Sequence, residues 1–282
     1  MLASCGLRTA AGAAPASDLP LPTAVRPSPA RTRTASPATT PAGDGTRIYG
    51  TLASPSTGLT HDWLVIYPPG SSTKAKLPVA IVLHGSADNI DALNHLNYHV
   101  HLGEAVRDGV RPFALAAING GALFWQRMDG RDAGALVATD FVGLLASRGL
   151  DTTRLALTGW SMGGWGTLRL AGNELAGRVR AAAAISTPLY PDAAAAPERW
   201  MSDADFAANN PYTHPQWLAG VPLWLACGTS DQFYPGNVSF ADILSRTPGV
   251  GTPQTHFAAG NHDFTFWESV VTDQFAFLGA HL

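Results

Sequence analysis

From Thr46 onward the chain alternates two textures: short, wholly apolar runs ending in glycine, serine or asparagine, and longer stretches with apolar residues at helical spacing. The runs are "VAIVLHG", "FALAAING", "RLALTG", "AAAAIS", "LWLACG" and "THFAAG". None shows the alternation of a half-exposed strand, so they predict strands buried on both faces, as in a parallel sheet covered by helices. Ahead of them, "RIYGTLAS" and "DWLVIYPP" predict an antiparallel opening pair. After Asp132 the residues Val137, Phe141, Leu144 and Leu145 share one helical face, and after Phe264 so do Trp267, Val270 and Val271. Strands alternating with such helices imply right-handed β-α-β crossovers, hence an open, mostly parallel α/β sheet with helices on both faces. No internal repeat interrupts this order. One longer connection, residues 187–220, is rich in Ala and Pro and predicts a small cap over the carboxyl edge of the sheet.

Residues 1–44 are different. The segment is Ala, Pro, Thr and Ser with scattered arginines and no apolar period, which predicts a disordered tether that cannot bury enough surface to offset its ordering entropy. Arg26, Arg31 and Arg33 read as solvated linker charges. Near its start, "LASC" resembles the lipobox at which bacterial lipoprotein signals are cut, with Cys5 as the lipidated residue, although no charged and apolar region precedes it. The expectation is an exported protein, secreted or held at the cell envelope through Cys5, and a cytoplasmic one if that match is chance. Cys227 lies inside "VPLWLACG" and reads as a small buried hydrophobe, so a disulfide to Cys5 is not expected.

Composition narrows the function. A net charge of -3 with only 14% charged residues gives no electrostatic case for nucleic-acid binding. No apolar run approaches the roughly 18 to 20 residues that span a bilayer as a helix. The 282 residues leave room for one sizeable domain, residues 45–282, after the tether.

The chemistry is carried by "LTGWSMGGWG". Ser161 follows an apolar strand run and opens an apolar helix, the setting in which a G-x-S-x-G match marks a nucleophile elbow. A serine nucleophile needs a base, and the base needs an orienting carboxylate. Asp231, after "LWLACG", and His262, after "THFAAG", supply these types at the ends of the next two predicted strands of that kind, in the order Ser, Asp, His. Ligands in such sheets bind beyond the carboxyl ends of the strands. Asp263 and Glu268 are rival carboxylates, but each would have to fold back to reach the far ring nitrogen of His262. His256 reads as a strand residue, and His84 as the shaper of the turn after "VLHG". Two backbone donors must meet the developing oxyanion. The candidates are Met162 N–H, at the start of the helix, and Ser86 N–H, in the loop after "VLHG".

Other residues are weaker candidates. Trp125, Trp160 and Trp267 are read as substrate-binding walls, and they share with Trp165 a part in the core. His95, His99 and His101 include an i, i+4 pair, but no third ligand is evident at a supporting spacing, so no metal is expected. Asp129 and Asp132 in "DGRDAG" read as a turn and a helix N-cap.

Taken together, "GWSMGGWG", "CGTSDQFY" and "GNHDFTFW" resemble the esterases of the α/β-hydrolase superfamily that include esterase D (S-formylglutathione hydrolase) and the secreted mycolyltransferases. The resemblance covers about residues 45–282. It implies an α/β-hydrolase fold with a small cap or none, and a serine esterase or acyltransferase with Ser161, Asp231 and His262 as its triad. It also implies an oxyanion donor after "HG", which maps to Ser86, and no cofactor. The expected partner is a small-molecule or lipid ester, with a lean towards short or medium acyl chains. The loop "HGSADN" departs from the family's usual Gly-Leu form, and mycolyltransferases carry a glutamate where Asp231 stands. Acyl donor and acceptor are therefore left open between hydrolysis and transfer to a sugar or glycerol hydroxyl. A binding protein of hydrolase ancestry is the alternative from a different class.

Overall fold

The apolar runs become adjacent strands. The structure, a computed structural model, describes residues 45–196 and 201–282. The tether expected over residues 1–44, with Cys5, lies outside the described residues, as do residues 197–200 of the long connection. Eight strands form one sheet: β1 (Thr46–Ser54), β2 (Leu59–Tyr67), β3 (Pro78–Leu83), β4 (Ala114–Ile118), β5 (Asp151–Trp160), β6 (Val179–Ile185), β7 (Leu223–Gly228) and β8 (Gln254–Ala258). Their spatial order is β1-β2-β4-β3-β5-β6-β7-β8. β1 and β2 pair antiparallel, as does β2 with β4, and every other pairing is parallel.

The strands lack alternation in sequence because both faces of the sheet are covered. Successive residues point to opposite sides. Val79, Ile81 and Leu83 meet Leu155 and Leu157 on one face, while Ala80 and Val82 meet Ala156, Ala181 and Ala183 on the other. The helices include α1 (Tyr98–Arg107), α2 (Met162–Gly172), α3 (Asp203–Asn209), α4 (Tyr234–Arg246), α5 (Phe264–Ser269) and α6 (Val271–His281). The first face is covered by α2, α3 and α4, through Trp165, Leu168, Phe206, Phe240 and Leu244. The second is covered by α1, α5 and α6, through Tyr98, Leu102, Phe266, Phe275 and Leu278.

The helical segment after Asp132 begins as the sequence predicts, with the Asp132 carboxylate accepting Ala135 N–H at 2.8 Å. Val137, Phe141 and Leu145 are buried and Leu144 is half-buried. Its middle, Leu136–Phe141, is π-helical, which apolar spacing does not reveal. Asp140 on this stretch accepts the Ser54 hydroxyl and Ser56 N–H, tying the segment to the β1–β2 hairpin. In the long connection, Phe206 of α3 packs 5.4 Å from Trp165, and Asn209 accepts from Arg169 Nε at 2.6 Å. Within the described part of this connection, α3 is thus a short helix laid against α2, and a 3-10 turn, Pro215–Leu218, follows it.

The tightest approach is between α2 and β3. A Cβ on Gly163 would fall 1.8 Å from the Leu83 carbonyl oxygen, and one on Gly159 would fall 2.5 Å from the same atom. Both contacts are to backbone, which cannot swing away as a side chain would. Gly163→Ala should therefore destabilise the protein by at least about 2 kcal/mol, the scale of overpacking in a close-packed core. A guanidinium melt checks this, with a lowered midpoint at unchanged slope as the expected result.

Candidate active site

Ser161 is the single residue between β5 and α2. Reversing a strand into a helix in so few atoms forces its backbone to φ 54° and ψ -123°, a region that side chains rarely occupy. The turn is held from both sides. Ser161 N–H donates to Ile185 O at 2.9 Å, and Ser161 O accepts Gly164 N–H at 2.9 Å. Gly164 in turn packs on Thr187, whose hydroxyl would lie 2.2 Å from an added Cβ.

Two loops bring partners to this serine. His262, after β8, places Nε2 at 3.0 Å from Ser161 Oγ, and its Nδ1 lies 2.9 Å from Asp231 Oδ2. Asp231, after β7, is held by its own turn, with its N–H donating to Gly228 O and its Oδ1 accepting Phe233 N–H at 2.8 Å. The carboxylate is inaccessible to solvent, whereas the imidazole is 25% exposed. The imidazole stands edge-on to two aromatic rings, Phe233 at 4.8 Å and Trp267 at 5.1 Å between centroids.

Burial alone would raise the Asp231 pKa. Hydrogen bonds from His262, Phe233 N–H and the Ser186 hydroxyl, with the charge of His262, outweigh it and leave Asp231 below its ordinary value. Neighbouring Cys227 is buried and free, and burial followed by the Asp231 charge pushes its thiol up, so it stays neutral. It is the small buried residue that its sequence setting predicts.

The two amides expected to face an oxyanion follow the ends of adjacent parallel strands, β3 and β5. Met162 is the first residue of α2, where N–H groups have no intrahelical acceptor and the helix dipole is positive. β3 and β5 run in parallel register with Leu83 opposite Gly159, three residues before Ser86 and Met162 respectively. Ser86 itself is exposed, in the turn after β3.

His84 shapes that turn. Its Nε2 accepts Gly120 N–H at 3.0 Å and its Nδ1 donates to Gly85 O at 2.7 Å. Burial lowers its pKa, against the raising effects of the Gly85 carbonyl and Asp88, which suits the neutral tautomer those two bonds require. The rival carboxylates are occupied elsewhere: Asp263 caps α5 through Phe266 N–H, and Glu268 accepts from Asn97 Nδ2 at 2.6 Å. His256 pairs with Asp273 at 3.1 Å. His101 lies between Glu104 and Glu268, at 3.4 and 3.6 Å. No group of three His, Cys, Asp or Glu side chains among the described residues is placed to hold a metal ion.

The tryptophans divide differently from expectation. Trp125 and Trp160 are 1% and 0% exposed, so they have no surface to offer a substrate. They back the site instead. Trp125 donates to His84 O at 3.2 Å and packs over Gly120 and Gly166, while Trp160 donates to Asp88 Oδ2 at 2.8 Å. Both rings are part of the core, Trp125 on one face of the sheet and Trp160 on the other. Trp267, 6% exposed, lies against His262 and donates to Ser186 Oγ at 3.0 Å.

Three contributors escaped the sequence reading. Ser186, buried with φ 49° at the end of β6, hydrogen-bonds both Trp267 and Asp231. Its only signal was a serine closing the run "AAAAIS". Phe233 follows Asp231 by two residues and supplies both an N–H and a ring to the site. Asp88 gave no signal, because its partner Trp160 is 72 residues away.

No protein-family model matches the chain, and no curated protein matches it. Solved structures do. A ferulic acid esterase aligns with a TM-score of 0.74 at 18% identity, covering 85% of this chain and 99% of its own. An S-formylglutathione hydrolase from Agrobacterium tumefaciens aligns at 0.70 and 15% identity, covering 87% and 98%. FphF, a fluorophosphonate-binding serine hydrolase of Staphylococcus aureus, aligns at 0.68 and 20% identity, covering 84% and 99%. With a mostly parallel eight-stranded sheet flanked by helices on both faces, the chain has the α/β-hydrolase fold.

The lowered Asp231 pKa has a consequence for stability. A carboxylate more acidic in the folded state stabilises the fold above its unfolded value of about 3.9, and that contribution disappears as pH falls through the folded value. Urea melts at pH 6 and at pH 3 should therefore show a smaller acid loss in Asp231→Asn than in the wild type.

Proposed function

We propose that this protein is a serine hydrolase of carboxylic acyl esters working through an acyl-enzyme. The observation that supports this most is the unbroken hydrogen-bonded line Ser161–His262–Asp231, whose members follow the carboxyl ends of the parallel strands β5, β8 and β7. In this reading His262 Nε2 takes the proton as Ser161 Oγ attacks the ester carbonyl. Asp231, fixed by Phe233 N–H and Ser186, holds the His262 Nδ1 proton and stabilises the imidazolium that forms. Met162 N–H and Ser86 N–H receive the oxyanion, each worth about 2.7 to 4 kcal/mol in the transition state. His262 then protonates the leaving alcohol, and a water activated by the same ring releases the acid.

Trp267 holds His262 edge-on and is the most exposed of the three predicted aromatic walls, at 6%. The solved structures with the same fold include a ferulic acid esterase and an S-formylglutathione hydrolase, which supports ester hydrolysis as the reaction class.

Initial rates on p-nitrophenyl esters of increasing acyl length, with a fluorophosphonate probe followed by intact mass, test the reading. The wild type should turn over and take one adduct, and Ser161→Ala should do neither. Asp231→Asn should keep the fold and lose about 10³- to 10⁴-fold in kcat. A folded wild type with neither turnover nor adduct would sink the proposal. Acyl glycerol formed when glycerol is added would redirect it to acyl transfer by the same residues.

A further inference from the structure

The loop that presents Ser86 is mostly outside the core. Ser86, Ala87, Asn89 and Asp91 are exposed, and only Ile90 of residues 86–91 is buried. A donor for an oxyanion must nevertheless be held in place before the charge appears. Three anchors reach this loop from the inside. His84 bonds Gly85 O from its root, and Asn119 Oδ1 accepts Ile90 N–H at 2.8 Å near its far end. Between them, Asp88 Oδ2 accepts the indole N–H of Trp160 at 2.8 Å.

The middle anchor runs to the residue immediately before the nucleophile. Its two polar atoms sit directly over Gly85: a Cβ there would lie 2.7 Å from Asp88 Oδ2 and 3.0 Å from Trp160 Nε1. The Gly85 Cα therefore packs against the pair, and Asp88 N–H donates to Gly85 O, the carbonyl of the Gly85–Ser86 peptide, at 3.2 Å. Trp160 cannot shift to follow a wandering loop, because its ring is fully buried between Tyr98, at 6.3 Å, and Trp267, at 6.0 Å. Trp267 in turn contacts His262. One indole thus links the loop to the element carrying Ser161 and, through Trp267, to the base.

We infer that Asp88 is a positioning residue for the oxyanion hole: by gripping the Trp160 indole it fixes the Gly85–Ser86 peptide relative to Ser161. This rests on the esterase reading above. Asp88 touches no reacting atom and acts only through the donor it holds. Its contribution belongs to the transition state, since the donor meets full charge only there, so its loss lowers kcat and leaves KM nearly alone.

The test uses the full chain and p-nitrophenyl butyrate as substrate, with active sites counted by fluorophosphonate titration. The variants are Asp88→Ala, Asp88→Asn, Trp160→Phe and the double Asp88→Ala/Trp160→Phe. Phenylalanine retains much of the ring packing and removes the donor, while asparagine retains an acceptor oxygen. Asp88→Ala and Trp160→Phe should each lose about 10- to 100-fold in kcat, less than or equal to the loss of a whole donor. KM should change less than about threefold, Asp88→Asn should recover most of the rate, and the double variant should lose no more than either single one. Affinity for butylboronic acid, whose tetrahedral adduct places an oxygen where the oxyanion would be, should fall in parallel with kcat. An active wild type whose Asp88→Ala and Trp160→Phe variants keep kcat within about twofold overturns the positioning role while leaving the esterase reading intact. So does a rise in KM at constant kcat, which would make Asp88 a substrate contact. A wild type without turnover or titratable serine overturns both.

Discussion

Everything at the candidate site depends on one backbone reversal. Ser161 has to end β5 and begin α2 at once, and no relaxed backbone does this, hence its φ of 54°. Such strain costs on the order of 1 to 3 kcal/mol. Burial of α2 is large enough to hold it: Trp165 and Leu168 are both fully buried, and each such side chain is worth about 1.5 to 3 kcal/mol or more. The glycines serve that packing. Gly159 and Gly163 let the turn press against the Leu83 carbonyl, and Gly164 lets it press against Thr187. A hydroxyl aimed outward at the sheet's carboxyl edge is the result.

The second constraint is a buried charge. Asp231 gives up its solvation, which on its own would favour the neutral acid, and regains ionisation through three donors. Two of them, Phe233 N–H and Ser186, are part of the scaffold, so the carboxylate is aimed before His262 meets it. The imidazole is then braced by Phe233 and Trp267. The same aromatic layer continues to Trp160 and Asp88, so His262, the Ser161 turn and the loop after β3 rest on one continuous set of contacts.

Much of this was legible in the chain because the signals are local. A wholly apolar run such as "VAIVLHG" can satisfy its two faces only between covering helices, and each of the six runs became a strand. The capping role of Asp132 was equally local, since the N–H it accepts lies three residues ahead. The stations of Ser161, Asp231 and His262 followed from strand ends, which are punctuated by glycine and turn residues. What failed was the reading of Trp125 and Trp160 as substrate walls. A tryptophan near a strand's end looks the same in sequence whether its ring faces a cleft or packs into the core, as both of these do. The π-helical stretch Leu136–Phe141 was illegible for a related reason, because its apolar spacing also suits an ordinary α-helix.

The sequence by itself determined the fold class, the order of the strands along the chain and the identity of the three residues that meet. Each of these is encoded in short-range pattern: apolar runs, helical spacing and residue type at a strand's end. Tertiary structure alone decided the distances among those residues and the company they keep. Ser161 and His262 are separated by 101 positions, and Asp88 and Trp160 by 72, so parallel strand register rather than any local preference brings them together. Whether a side chain such as Ser186 or Asp88 acts on the site depends on which loop is folded over it. No spacing along a chain carries that information.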